Sequence, residues 1–265
     1  MCKQSIIISE RKPLVKPLSK LLIIVLLTMA GFHFASASGQ WKAIAAGVTY
    51  RDSAPTSLSP WSHIHTFKIN LKQNDINLVL AKDLHHEFAS AADFARQDKA
   101  ILAVNGGFFD NHYRPLGLRI QNSHPLSPIK PISWWGVFSI RNNNATVSSY
   151  HQFQNAPGTS FAIQTGPRLL INGKIPTLKP GRAERTALGI NRQGEVILIV
   201  TEYNPLTTTE LAQLLQKAPL NCIQALNLDG GSSSQLYTKT DNLTLSVHGF
   251  SQVSDGIIVT PKVHP

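Results

Sequence analysis

The sequence predicts an α+β fold: a single mixed domain with many short, largely antiparallel strands and about two main helices. Three observations carry that prediction. Short strand-like runs bounded by Gly, Pro and Asn turns recur along most of the chain, only two stretches show helical spacing, and no repeat or low-complexity block divides the 265 residues. A doubly wound parallel fold is disfavoured because helices do not alternate with most of the strands. With 42% hydrophobic and 15% charged residues the chain can bury a substantial core, which argues against disordered and fibrous classes.

Residues 1–37 read as a signal peptide. Lys3, Arg11, Lys12, Lys16 and Lys20 precede the apolar run Leu21 to Ala30, and Ala35-Ser36-Ala37 supplies small residues at a cleavage point. A retained N-terminal anchor is the alternative, although the apolar stretch is short against the ~20 residues of a membrane-spanning helix. The remaining domain, 38–265, is expected to be periplasmic or secreted.

Within it, His65 to Leu71 and Ile76 to Ala81 alternate apolar and polar side chains, as half-buried strands do. Phe88 to Lys99 has helical spacing and feeds the apolar strand Ala100 to Val104. Trp135 to Ile140, Thr146 to Tyr150, Ser160 to Gln164, Arg168 to Ile171 and Ala187 to Ile190 follow as short strands. Asn191-Arg192-Gln193-Gly194 is a tight turn into Glu195 to Val200, the clearest hairpin. Thr207 and Glu210 stand at capping-box spacing before Leu211, Leu214 and Leu215, so a second helix begins there. It leads to the strand Ile223 to Leu228.

The formal charge is +10. Five bases and one acid lie in the leader, which leaves about +6 on the mature chain by the same count. That charge suits anionic partners such as phosphorylated glycans. Nucleic acid is not implied, because no basic run interleaves with aromatics. Cys2 falls in the leader, so Cys222 has no internal disulfide partner in the mature chain and reads as an inert buried thiol.

Two strand ends carry Gly-Gly loops, Asn105-Gly106-Gly107 and Asp229-Gly230-Gly231, each with a polar side chain ahead of the glycines. Glycine lets a ligand approach the backbone closely, and sites gather at such strand ends. A plain structural turn is the competing reading. His63-Ile64-His65 and His85-His86-Glu87 lack the ligand set and spacing of a zinc site, and Gly230 to Ser234 lacks the Gly-x-Ser-x-Gly spacing of a nucleophile elbow.

Ala103-Val104-Asn105-Gly106-Gly107-Phe108-Phe109, Gln164-Thr165-Gly166-Pro167, Glu184-Arg185-Thr186-Ala187-Leu188-Gly189 and Asn227-Leu228-Asp229-Gly230-Gly231-Ser232-Ser233 occur in this order. The set resembles the phosphodiester glycosidase family and spans most of the mature chain. That family resembles a lysosomal enzyme that removes N-acetylglucosamine from a phosphodiester on mannose, and it includes many exported bacterial members whose substrates are unsettled. Two positions depart from its pattern: Ser232 stands where a third Gly is frequent, and Asp255 where Asn is expected.

The resemblance implies an exported hydrolase that cleaves a sugar-1-phosphodiester at the glycosidic C–O bond, in an envelope or extracellular glycan. A phosphate monoester leaves readily, so less general-acid help is needed than in an ordinary carboxylate-pair glycosidase. Arg185 is expected to hold the phosphate with its fork of donors, unless it merely pairs with Glu184. Asp229 is expected to be nucleophile or base, with Ser232 and Ser233 donating nearby, unless it only closes an Asx turn. Asn105 would hold a sugar hydroxyl or acetamide. Phe108 and Phe109 would offer a platform, at least one of them being core. Gly106, Gly107, Thr165, Gly166, Gly230 and Gly231 complete the expected substrate contacts.

No cofactor or resident metal is called for. Two alternatives stand beside this reading: a phosphodiesterase that cuts P–O with a divalent cation held by Asp229 and Asp110, and a non-catalytic module that binds anionic glycans.

Overall fold

A computed structural model describes residues 39–54, 60–97 and 100–262. The leader assigned to residues 1–37 lies outside the described residues. Among those described, no helix is long and apolar enough to cross a membrane.

The architecture is predominantly β. A seven-stranded sheet runs, in spatial order, Lys42–Ala45, Val48–Asp52, His63–Ile69, Val196–Glu202, Thr186–Asn191, Cys222–Asn227 and Arg168–Leu170. A first five-stranded sheet orders Leu243–Val247, Leu236–Thr240, Leu102–Asn105, Asp255–Pro261 and Asn74–Leu80. A second orders His124–Ser127, Arg119–Gln121, Thr159–Thr165, Gly136–Arg141 and Asn144–Ser148. The short ribbon Arg182–Ala183 with Leu206–Thr207 completes the set. All these pairings are antiparallel.

The expectation of antiparallel strands and two helices holds, but the balance lies further toward β than an α+β reading implies. The helices, Ala91–Gln97 and Thr208–Gln216, are short, and each covers the outer face of one sheet. Alternation explains the layering. In Val196–Glu202, Val196, Leu198 and Val200 join the central core shared by the three large sheets, whereas Ile197 and Ile199 face Leu211, Ala212 and Leu215 of the second helix. A strand covered on both faces must be apolar throughout, hence the unbroken run from Val196 to Val200. In the same way Leu102 and Val104 enter the central core while Ala103 meets the Phe94 side of the first helix.

Local chemistry sets the helix starts. Ser90 and Asp93 bond reciprocally at the first, so it begins at Ala91 and Phe88 stays outside it, 40% exposed. At the second, the Thr207 hydroxyl accepts from the Glu210 amide while the Glu210 carboxylate accepts from the Thr207 amide, as the capping-box spacing predicts. The Asn191–Gly194 turn forms with Gly194 at positive φ and joins the two antiparallel strands expected.

Candidate functional site

The two Gly-Gly loops meet. The Asp229 amide donates to the Gly106 carbonyl at 3.2 Å, and the Asn105 Nδ2 donates to the Asp229 carbonyl at 2.8 Å. Asn105 Oδ1 accepts from the Thr186 hydroxyl at 2.7 Å and from the Gln235 amide at 3.1 Å. Asn105 is fully buried. Its amide therefore ties three segments together and has no route to a sugar, so the expected direct contact gives way to a positioning role.

Beneath Gly106 and Gly107 lies a buried ion pair. Arg119 Nε meets Asp255 Oδ2 at 3.1 Å, with both side chains wholly enclosed. The other guanidinium nitrogens donate to the carbonyls of Leu116, Leu118, Gln164 and Phe108. Asp255 Oδ1 accepts from the Gly107 amide at 3.0 Å, and Oδ2 from the Ser254 hydroxyl. A Cβ on Gly106 would overlap Asp255 Oδ1, and one on Gly107 would overlap the Arg119 guanidinium. These glycines are needed because the backbone presses on the ion pair. Asp255, which departs from the family pattern, is thus matched by a buried cation.

Asp229 is half-buried, and its carboxyl is pushed above the usual aspartate range. Burial is the main cause and the nearby Asp255 charge adds to it; bonds from Ser233 and the Gly230 amide, and the Arg119 charge, act the other way. The Gly230 amide bonds Oδ1 at 2.9 Å, the local turn contact expected of Asp before Gly. Ser233 is buried beside it, whereas Ser232 is exposed. Gly230 packs on the Glu184 carbonyl, which also accepts the Gly231 amide.

The remaining expected residues make contacts other than those expected of them. The Arg185 main chain adjoins Gly230, but its Nε donates to the Leu206 carbonyl at 2.8 Å and its Nη2 to the Gly181 carbonyl at 2.5 Å. Its charge is disfavoured by burial. The guanidinium thus braces the Arg182–Ala183 and Leu206–Thr207 ribbon, and it does not pair with Glu184. Instead Glu184 accepts from the Thr201 hydroxyl and the Asn204 amide. Thr165 is fully buried, and Gly166 lies against Trp135, where a Cβ would come within 2.7 Å of the indole. Phe108 packs on Trp135 at 5.3 Å, while Phe109 stacks on Tyr113 and joins the core under the first helix. Phe109 is the structural member of the pair.

Asp110 is committed to its own loop, accepting from the His112 and Arg114 amides and from Arg114 Nε. Among the described residues, no three His, Cys, Asp or Glu side chains cluster to hold a metal. His63 pairs with Asp52, and buried His65 with Glu202. Burial pushes the Cys222 thiol up to about 12, which keeps it un-ionised.

Sequence reasoning missed Arg119 and the neighbourhood of Glu184. The signal for Arg119 was a cation flanked by the apolar residues Leu118 and Ile120.

Residues 98–260 match a family model described as phosphodiester glycosidase. The chain is 31% identical over 163 residues to YigE of Escherichia coli K12, itself described as uncharacterized; the match covers 57% of this chain and 63%, under two thirds, of that protein. Among solved structures it resembles the zebrafish N-acetylglucosamine-1-phosphodiester alpha-N-acetylglucosaminidase catalytic domain auto-inhibited by its pro-peptide. That match has TM-score 0.60 and 18% identity, over 87% of this chain and 86% of that one. A hypothetical protein from Synechocystis gives TM-score 0.59 and 18% identity, over 84% and 64%. At such identities the structural likeness speaks for the fold.

Proposed function

Since the chain belongs to the phosphodiester glycosidase family, we propose that it is an exported hydrolase that cleaves the C–O bond between a sugar and a phosphodiester, with Asp229 in the chemical step. The observation that carries this reading is the junction of the two Gly-Gly loops, which holds a half-buried carboxyl of raised proton affinity at adjoining strand ends. A carboxyl so placed can deliver or accept a proton, or attack an anomeric carbon, in a partly desolvated setting.

Asn105 fixes the Asp229 backbone from below, and the Arg119–Asp255 pair supports the other loop. Arg185 acts chiefly through the segment that its Nε and Nη2 brace. The export proposal rests on the basic and apolar leader within residues 1–37, and the substrate class on the family together with the positive charge of the mature chain.

The test is incubation of the purified protein with an N-acetylglucosamine-1-phosphodiester. Free sugar should appear with wild type and fall by at least a hundredfold with Asp229→Asn. A panel of sugar-1-phosphodiesters left intact by wild type, or full turnover by the folded variant, overturns the reading.

A further inference from the structure

Beside the Asp229 loop lies a cleft of unusual composition. Its lining includes Glu184, Glu202, Tyr203, Ser234, His248 and Phe250, and Gly231 forms part of its wall. It is physically joined to the proposed reaction centre. The Ser232 carbonyl accepts from the Ser251 amide at 2.9 Å, and Gly249 packs so closely on that carbonyl that a Cβ would come within 2.6 Å. The loop that carries Phe250 is therefore fastened to the loop that carries Asp229.

Four features define what would fit. Tyr203 and Phe250 are 65% and 89% exposed, large aromatic rings left in water at the cleft. Tyr203 also adopts a left-handed backbone conformation, φ 47°, which a bulky residue rarely takes up. Ser234 is 3% exposed, and its hydroxyl has no hydrogen-bond partner among the described residues, a cost that a ligand could relieve.

The two carboxylates are held in place. Glu184 is fixed by Thr201 and Asn204, and Glu202 by His65 at 3.0 Å. Each carboxylate retains unused lone pairs.

Fixed acceptors, an unpaired hydroxyl and bare aromatic rings match a ring that has hydroxyl donors on its edge and C–H groups on its face. The same carboxylates repel a phosphate or any other anion. We propose that this cleft is a binding subsite for a neutral pyranose unit of the substrate, with Tyr203 and Phe250 against the sugar face, and Ser234, Glu184 and Glu202 on its hydroxyls. The proposal rests on the glycoside reading above, and it separates sugar recognition from the phosphate.

The test measures binding of neutral methyl pyranosides of glucose, galactose, mannose and N-acetylglucosamine to the purified protein by saturation-transfer NMR and titration, independently of hydrolysis. At least one should bind, and Tyr203→Ala or Phe250→Ala should weaken it about tenfold, the effect of losing one good contact. Trp61→Ala removes an aromatic that is 63% exposed and lies outside the cleft lining, and should leave affinity unchanged. Ser234→Ala should weaken binding without lowering the melting temperature of the free protein, because it deletes an unpaired buried hydroxyl.

Absence of binding by all four pyranosides overturns the subsite, as does affinity unaffected by both aromatic variants. Hydrolysis that persists in either case leaves the reading of Asp229 standing. Conversely, variant-sensitive binding without any hydrolysis supports the subsite and counts against the glycosidase.

Discussion

Asp229 binds protons more tightly in the folded chain than an ordinary aspartate, chiefly because of burial. Between the usual aspartate value and the raised folded one, the native state carries more protons than the unfolded chain. Stability therefore falls as pH rises through that window. Asp229→Asn removes this dependence, so at neutral pH the variant should melt no lower than wild type, and the stability difference between the two should shrink on acidification. Thermal melts across pH 4 to 8 check this, and a variant less stable than wild type at pH 7 contradicts it. Arg185 makes the opposite kind of contribution. Arg185→Lys cannot reach both the Leu206 and Gly181 carbonyls as a fork does, and should cost about 1–2 kcal/mol. Because the side chain braces a ribbon, turnover of a phosphodiester and of an activated aryl glycoside should fall by the same factor. A loss confined to the phosphodiester would restore Arg185 as the phosphate ligand.

The second helix depends on its reciprocal cap, and Thr207→Ala should cost about 1 kcal/mol, read as a lower denaturant midpoint with unchanged slope. Gly106→Ala acts on a different element. Its methyl would displace Asp255 from beneath the loop, so it should lower both stability and turnover even though no positive φ is involved. What the sequence revealed divides along the same line. The cap at Thr207, the Asn191–Gly194 hairpin and the doubly covered strand from Val196 were legible because each is written in adjacent residues. The strands Leu236–Thr240, Leu243–Val247 and Asp255–Pro261 were not assigned, since their short mixed patterns gain meaning only from partners far along the chain. The site shows the same split. The two Gly-Gly loops stood out as motifs, whereas the burial of Asn105, the turn of Arg185 toward Leu206 and the Arg119–Asp255 pair are products of long-range contact.

Across the whole molecule, Arg119 comes from one five-stranded sheet and Asp255 from the other, so their ion pair fastens two sheets at the edge of the shared core. Arg119→Met would leave the Asp255 charge buried and unpaired, at a cost of about 3–5 kcal/mol, a large fraction of the stability of a domain this size. Urea unfolding of the variant measures it, and a loss below about 1 kcal/mol would mean that the pair does not secure the sheets. This framework brings the two strand ends together around Asp229, the carboxyl proposed for the chemical step. That account rests on which bond breaks, and hydrolysis in oxygen-18 water reads it directly. For an N-acetylglucosamine-1-phosphodiester, mass spectrometry should find the label in the released sugar and none in the phosphate monoester, because water replaces oxygen at the anomeric carbon. Label in the phosphate product would mean P–O cleavage and would contradict the glycosidase mechanism.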